Sequence, residues 1–529
     1  MTILQDALNK HTKKINKLEK LKALQTPLEF YNQFKDFCHL PYESITQNHE
    51  KYLLKCFGLY NKGKDNFMLR VRIPAGQLEF HQAIELGSIA KQYGDNYIDI
   101  TTRQQIEFRF LKQKDLYKVI KAIEDIGLST FQTGIDNFRN IVTSSFDGHY
   151  AQNYITCKPI IDELQAIFFK KEEYFGVMPR KLNTAVLGTS FNDCNVFGQD
   201  CSFVVAKKFD AIGFNLYLGG KVGIQAYDSG LFIKKEQVST VYKAIIDLFK
   251  EYGFRDNRNK NRLHFLIQEV GIEHFALAIQ TKANMTLDSS GELLVNEDII
   301  VTNEDSIELR NNKKAIHFPI PSGIFTGTAM MEAGYLAEDT KGLIRLSVEQ
   351  SFYIICDKED VTYVKNSPLY KKYGKFQNIY FTNQIACAGV KTCPFGVIEN
   401  KADAIEMAYY LNEEVPMSNG KVRMYWSACP KGCGIHGVAD IGFEGCKIKN
   451  EEGTTIGGVK IFLGGKASKE VQEARLLHKG LSLEKAKVAV KNLLTIYKNE
   501  KINNESFESF DSRVLAKFTT EELYERIGA

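Results

Sequence analysis

The 529-residue sequence predicts an α+β fold made by duplication: two similar halves, each a smaller α/β module followed by a larger one. Three observations predict it. The stretch "IPAGQLEFHQAIELGSIAKQYGDNYIDITTRQQIEFRF" from Ile73 returns as "IPSGIFTGTAMMEAGYLAEDTKGLIRLSVEQSFYII" from Ile320, each a Pro/Gly turn, a helix and a strand. "NLYLGGKVG" returns as "KIFLGGKAS", a strand closed by two glycines. "KLNTAVLGT" from Lys181 lies opposite "KVRMYWSAC" from Lys421. The offsets agree closely, 247 residues from Ile73 to Ile320 and 245 from Leu218 to Leu463, and the order is kept. A single match would be chance; an ordered set is a repeat.

The elements follow in order. Residues 1–65 form an N-terminal helical and extended arm. Its start, "MTILQDALNKHTKKINKLEKLKALQ", reads as a lysine-rich amphipathic helix with Leu4, Leu8, Ile15 and Leu18 near one face, either simply solvated or docking an acidic partner. It lacks the apolar core of a signal peptide, and no stretch reaches the ~18 consecutive apolar residues of a membrane span. A cytoplasmic location, with no membrane contact, is therefore expected, where cysteines persist as thiols or metal ligands. At 44% apolar and 25% charged, with a net charge of +4, the composition is that of a globular chain and gives no ground for a nucleic-acid partner.

Residues 66–133 are the first small module. In "FMLRVRIP", Phe67, Leu69, Val71 and Ile73 point one way, and Met68, Arg70 and Arg72 the other. Residues 134–305 are the first large module, where "PRKLNTAV" puts Lys181 and Asn183 on one strand face. Residues 306–375 repeat the small module. Cys356, in "FYIIC", reads as a buried small residue. Residues 376–529 repeat the large one and add what the first copy lacks. "ACAGVKTC" sets Cys387 and Cys393 six positions apart, and "SACPKGCG" sets Cys429 and Cys433 four apart. The first copy has Cys194 and Cys201 without a second pair, and Cys446 reads as another buried small residue.

Four clustered thiolates bind zinc or an iron–sulfur cluster. Structural zinc favours ligands two to four residues apart. Inner spacings of five and three residues, with Gly389 and Gly432 letting the backbone approach and Pro430 stiffening the second loop, suit the larger 4Fe-4S cube. Zinc and inert thiols remain the alternatives.

With these motifs the chain resembles the sirohaem-dependent nitrite and sulfite reductases. That family has C-x5-C followed by C-x3-C, and the resemblance runs from "CFGLYNKGKDNFMLRVRIPAG" through "SACPKGCGIHGVADIGF" to the "FLGGK" turn. It implies ferredoxin-like small modules and sirohaem-binding large ones. It implies that Cys387, Cys393, Cys429 and Cys433 hold a 4Fe-4S cluster, with Cys433 also bridging to the iron of sirohaem. Arg70 resembles the substrate-side arginine, Arg139 in "DNFRN" a second active-site arginine, Arg72 a partner of sirohaem carboxylates, and Arg103 in "TTRQ" a member of the cofactor-binding strand. Lys181 with Asn183 resembles the Lys-x-Asn of nitrite reductases rather than the Lys-x-Lys of sulfite reductases. Lys431 stands where the family usually has Asn, which adds charge beside the cluster.

The implied activity is six-electron reduction of nitrite to ammonia by a monomer. No G-x-G-x-x-G opens a βαβ unit, so electrons come from a separate donor, an acidic ferredoxin or similar small protein. Sulfite reduction is the alternative within the family. A precorrin-oxidising enzyme and a non-catalytic iron–sulfur carrier are the others, and neither needs Arg70, Arg139 and Lys181 together.

Overall fold

The computed structural model describes residues 1–296, 305–468 and 470–527. The closing stretch of the expected 134–305 module, residues 297–304, and the last two residues lie outside the described ones.

The strands, in chain order, are β1 (Leu59–Asn61), β2 (Phe67–Val71), β3 (Gln77–Leu78), β4 (Tyr97–Ile100) and β5 (Ile106–Leu111) in the first small module. The first large module holds β6 (Thr184–Leu187), β7 (Cys201–Lys208), β8 (Ala211–Leu218), β9 (Tyr227–Ile233), β10 (Asp288–Ser289) and β11 (Glu292–Leu293). The second small module holds β12 (Ser306–Glu308), β13 (Lys313–Phe318), β14 (Ile324–Thr326), β15 (Leu343–Leu346) and β16 (Phe352–Asp357). The last module holds β17 (Gln384–Ala386), β18 (Met424–Ser427), β19 (Ile441–Lys449), β20 (Thr455–Leu463), β21 (Lys466–Ala467), β22 (Val471–Gln472) and β23 (Arg475–Leu481). The first sheet thus starts at Leu59, ahead of the expected boundary at 66, because β1 pairs with β2.

The two small sheets run β1-β2-β5-β4-β14 and β12-β13-β16-β15-β3. Each borrows its last strand from the other half: Ile324 pairs opposite Asp99, and Leu78 opposite Ile344. The repeated turn makes the exchange possible. At Pro74–Gly76 and Pro321–Gly323 the last two residues of each turn have positive φ. A Cβ on Gly76 would stand 3.0 Å from Leu346 O, and one on Gly323 2.7 Å from Ile100 O, so glycine lets each turn lie on the other half's sheet. The helices Phe80–Tyr93 and Gly327–Asp339 cross between the sheets with matching contacts. A Cβ on Gly87 would meet Gly327 O at 2.4 Å, and one on Gly334 would meet Phe80 O at 2.9 Å, the same pair of positions shifted by the repeat offset. One apolar core, including Leu69, Phe108, Ile316 and Ile354, runs through both small sheets.

The large modules are also related. In the first, β6 lies parallel to β7, followed by antiparallel β8 and β9; in the second, β17, β18 and β19 are parallel, followed by antiparallel β20 and β23. The helices Val238–Tyr252 and Leu483–Glu500 supply much of their separate cores. Both Gly-Gly turns recur, with Gly219 and Gly464 at positive φ and their N–H groups on the carbonyls of Asp200 and Asp440.

The N-terminal arm departs from expectation. Its first 25 residues, expected as one helix, form two, Thr2–Asn9 and Lys17–Lys22, because Asn16 caps the second by accepting the N–H of Leu18 and Glu19. Leu4 and Leu18 are buried in different cores, and Ile15 is 55% exposed.

A cation-lined cavity beside four cysteines

A cavity of about 1580 Å³ is bounded by both large modules. It exceeds the roughly 300–1,000 Å³ of common small-ligand pockets. Much of its wall comes from repeated positions. Lys181 and Lys421 line it, as do Asn183 and Arg423, and Lys221 and Lys466 from the two "GGK" turns. Several carboxylates around it are already engaged: Asp200 with Arg262 at 2.7 Å, and Asp440 with Arg423 at 2.5 Å. Among the described residues, Arg103, Lys181, Lys221, Lys421 and Lys431 line the cavity with no carboxylate within ion-pair distance. Such a wall fits a large ligand rich in carboxylates.

Lys181 and Asn183 precede β6 and both line the cavity, while Leu182 between them joins the core, so they share a face. Asn183 gives its backbone N–H to Asp200 at 2.9 Å, and its buried side-chain Oδ1 has no partner. Arg103 lies on the turn between β4 and β5 rather than in a strand, as the sequence implied. Its Nη2 reaches Gln199 at 3.0 Å and its buried Nη1 is unpaired. Arg139 gives Nη2 to Ile135 O at 3.0 Å and also leaves Nη1 unpaired. These unpaired buried atoms are the groups a bound anion or cofactor would satisfy.

The cations act on one another. Burial, and then Arg262, Arg139 and Arg103, hold the Lys181 ammonium well below the usual lysine range. Burial lowers Arg103 to about 9, with Arg139, Arg262 and Arg70 contributing, and lowers Arg139 to about 10. Arg70 does not line the cavity; its guanidinium is clamped by Glu107 and lies over the Tyr60 ring at 5.6 Å.

Arg72, expected as a partner of cofactor carboxylates, is directed at backbone carbonyls and not at the cavity. It is 1% exposed and donates to four backbone carbonyls: Phe131 at 3.3 Å, Gln132 at 3.0 Å, Phe138 at 2.7 Å and Arg139 at 3.2 Å. It staples the segment that joins the first small module to the first large one, and it is absent from the cavity wall.

The cysteines come together because β17 and β18 are parallel neighbours. Their following loops emerge at the same sheet end, one carrying Cys387 and Cys393, the other Cys429 and Cys433. Burial pushes the Cys387 thiol up to about 12, and the other three cysteines add to the rise. The four are thus electrostatic neighbours. Among the described residues, no three His, Cys, Asp or Glu side chains converge closely enough for one metal ion. Four cysteines on two neighbouring loops match the ligand count of a 4Fe-4S cluster. Two donors serve Cys387: the Ala428 N–H at 3.3 Å from its sulfur, and the Asn400 amide at 3.5 Å. Cys433 is exposed to the main cavity, in the field of Lys181 and Arg70. Cys393 lines a separate pocket of about 130 Å³ with Lys62, Arg109 and Lys391. The Lys431 ammonium rests on the Phe395 ring. Cys446 is half-buried rather than buried, on β19, and Cys356 is buried.

Sequence reasoning passed over Lys221, Lys421, Lys466, Arg262 and Asn400. The first three stood inside the quoted repeats; identical residues at equivalent positions of a duplicated wall were the available signal. Nothing in the local sequence marks Asn400.

Residues 134–287 and 381–516 match the nitrite and sulphite reductase 4Fe-4S domain, and residues 60–126 match the nitrite/sulfite reductase ferredoxin-like half domain. Ferredoxin–nitrite reductase of Synechococcus elongatus is 30% identical over 501 residues, 91% of this chain and 96% of that one. The chloroplastic ferredoxin–nitrite reductase of Spinacia oleracea is 30% identical over 479 residues, 85% and 80% of the two chains. The solved structure of the Mycobacterium tuberculosis NirA protein shares the fold, with TM-score 0.87 over 97% of this chain and 98% of that one at 21% identity.

Proposed function

The chain belongs to the nitrite and sulphite reductase family, and from that premise we propose that it reduces nitrite to ammonia in the cation-lined cavity, with electrons supplied by a ferredoxin. One observation carries the reading: Cys433, of the four-cysteine set, opens on the cavity in the field of Lys181 and Arg70. The cysteines fit a 4Fe-4S cluster, and Arg103, Lys181, Lys221 and Lys421, which have no carboxylate partner among the described residues, fit the carboxylates of sirohaem. When bound, the coupled pair supplies the redox chemistry.

The protein's own groups bind the anion and manage protons. Lys181 lines the cavity where an oxyanion would sit, Arg70 and Arg139 add positive field from just outside its wall, and buried donors stabilise charge that develops as N–O bonds break. Each departing oxygen leaves as water and needs protons. A lysine held well below its ordinary range gives one up near working pH more readily than a free lysine. Asn183, neutral beside Lys181, limits the positive charge to what a monoanion needs.

Electrons enter, in this reading, on the side of Cys393. There Lys62 and Lys391 flank the small pocket, and Val390 and Phe395 are exposed, Phe395 at 57%. A basic rim around an apolar spot is complementary to a small acidic donor. No described helix is long and apolar enough to cross a membrane, and the reading places a monomer in the cytoplasm.

The test is the absorption spectrum of the purified protein, then turnover of nitrite and sulfite with one reduced donor. Soret and chlorin bands with nitrite preferred are expected. A colourless protein with stoichiometric zinc, or one that prefers sulfite, refutes the reading.

A further inference from the structure

A row of alternating charges crosses one face of the first small sheet. Arg70 gives Nε and Nη2 to Glu107 Oε1 at 2.8 and 2.5 Å. Glu107 Oε2 accepts Arg109 Nη2 at 2.8 Å, and Arg109 Nε reaches Asp99 Oδ2 at 2.7 Å. Asp99 Oδ1 accepts Lys401 Nζ at 2.7 Å. Lys401 opens the helix Lys401–Glu414 and follows Asn400, whose amide holds Cys387 O at 2.6 Å. The row therefore links an arginine in the field of Cys433 to the base of the first cysteine loop. Glu107, Arg109, Asp99 and Lys401 are all buried. Burial by itself would raise the Glu107 carboxyl, but Arg70 and Arg109 outweigh it and hold the group ionised below the usual range.

The fold does not demand these charges. Arg70 and Asp99 both pair across strands with Glu107. In the second small sheet the same cross-strand triad is His317, Arg345 and Tyr353, and Ile355 stands where Arg109 does. That face packs against Phe146, 4.9 Å from the Tyr353 ring. Carboxylates directly opposite on paired strands repel, and buried ion pairs commonly stabilise less than apolar packing. The half that faces the cysteines keeps the acid–base row; its counterpart does not.

We propose that Glu107 is a positioning residue: it grips one edge of the Arg70 guanidinium, Arg109 and Asp99 hold it in turn, and the row fixes Arg70 relative to the cysteine loop. The proposal rests on nitrite reduction in this cavity. It makes a prediction that charge alone contradicts. Removing an acid near an anion site tightens the anion by Coulomb attraction; loosening a positioned arginine weakens it.

The experiment compares holoprotein of wild type, Glu107→Gln, Arg70→Lys and the double variant. Nitrite and the neutral ligand carbon monoxide are titrated optically, and nitrite kcat and KM are measured. For Glu107→Gln the nitrite Kd should rise about tenfold and kcat fall by at least as much, as expected for a misplaced binding group, with carbon monoxide binding unchanged. In the Arg70→Lys background the substitution should add little, because it acts through Arg70. Nitrite bound as tightly as by wild type, or more tightly, overturns the proposal. So do effects that multiply in the double variant, and so does equal weakening of carbon monoxide. Should Glu107→Gln lose its cofactors, Arg109→Lys, which loosens the clamp on Glu107 while keeping the charge, carries the same test. A wild type that binds no nitrite overturns the functional reading itself.

Discussion

Replacing Arg72 separates two roles for a buried arginine. Its guanidinium makes four hydrogen bonds to carbonyls of residues 131, 132, 138 and 139, and among the described residues no carboxylate pairs with it. Hydrogen bonds to a charged group contribute about 1.5–3 kcal/mol each, so the gross gain is about 6–12 kcal/mol. Burying the ion offsets several kcal/mol of that, and its lowered pKa, about 9, records the penalty. A net loss of about 3–5 kcal/mol is expected for Arg72→Met, which keeps the stem's volume but strands the carbonyls. At about 2–4 °C per kcal/mol for a domain of this size, the first thermal transition should fall by about 10 °C. The assay is a melt of the holoprotein followed by near-ultraviolet circular dichroism, alongside tetrapyrrole absorbance per mole of protein. A variant that melts within about 2 °C of wild type but has lost its tetrapyrrole bands would refute the staple and restore Arg72 as a cofactor partner.

Asn183→Lys adds a charge beside Lys181; at an effective dielectric near 20, a unit charge ~5 Å away is worth roughly 3 kcal/mol per anionic charge before screening, so the ratio of nitrite to sulfite kcat/KM should fall, and an unchanged ratio removes Asn183 as a selectivity residue. Cys433→Ser should lose both cofactors while Cys446→Ser keeps them; iron analysis and absorbance decide, and the reverse pattern breaks the ligand set. Because burial and neighbouring cations depress Lys181, its charge is present below its own pKa and lost as pH rises through it, ahead of the ordinary ~10.4. Nitrite affinity of wild type should therefore fall with rising pH below that value, and Lys181→Met should flatten the profile; an identical profile in the mutant assigns the titration elsewhere.

The duplication was legible because it leaves local traces: a turn, a helix and a strand recur in order. The strand exchange between halves was not, since β3 and β14 find partners more than two hundred residues away and local pattern carries no partner identity. Alternation in "FMLRVRIP" correctly separated Leu69 and Val71 from Arg70 and Arg72. It could not say what lay on the far side, which for Arg72 is backbone and for Arg70 is Glu107. Cysteine spacing announced a multi-iron ligand set because loop length is local; the donors to Cys387, from Ala428 and Asn400, depend on the fold. The N-terminal helix was read as continuous because its apolar spacing is regular, yet capping by Asn16 breaks it.

The repeat also explains why one half alone carries the cysteines. By the strand register, Val142 opposite Ala185 matches Ile385 opposite Tyr425. The same register puts Ser144 and Tyr150 in the places of Cys387 and Cys393, and Thr189 and Asp193 in those of Cys429 and Cys433. Phe146, Tyr150, Phe191 and Tyr353 fill that counterpart space, with ring centroids 4.9–6.2 Å apart. Close-packed rings leave no room for an inorganic cube, and none of the four counterpart positions, Ser144, Tyr150, Thr189 and Asp193, carries a thiol to hold one.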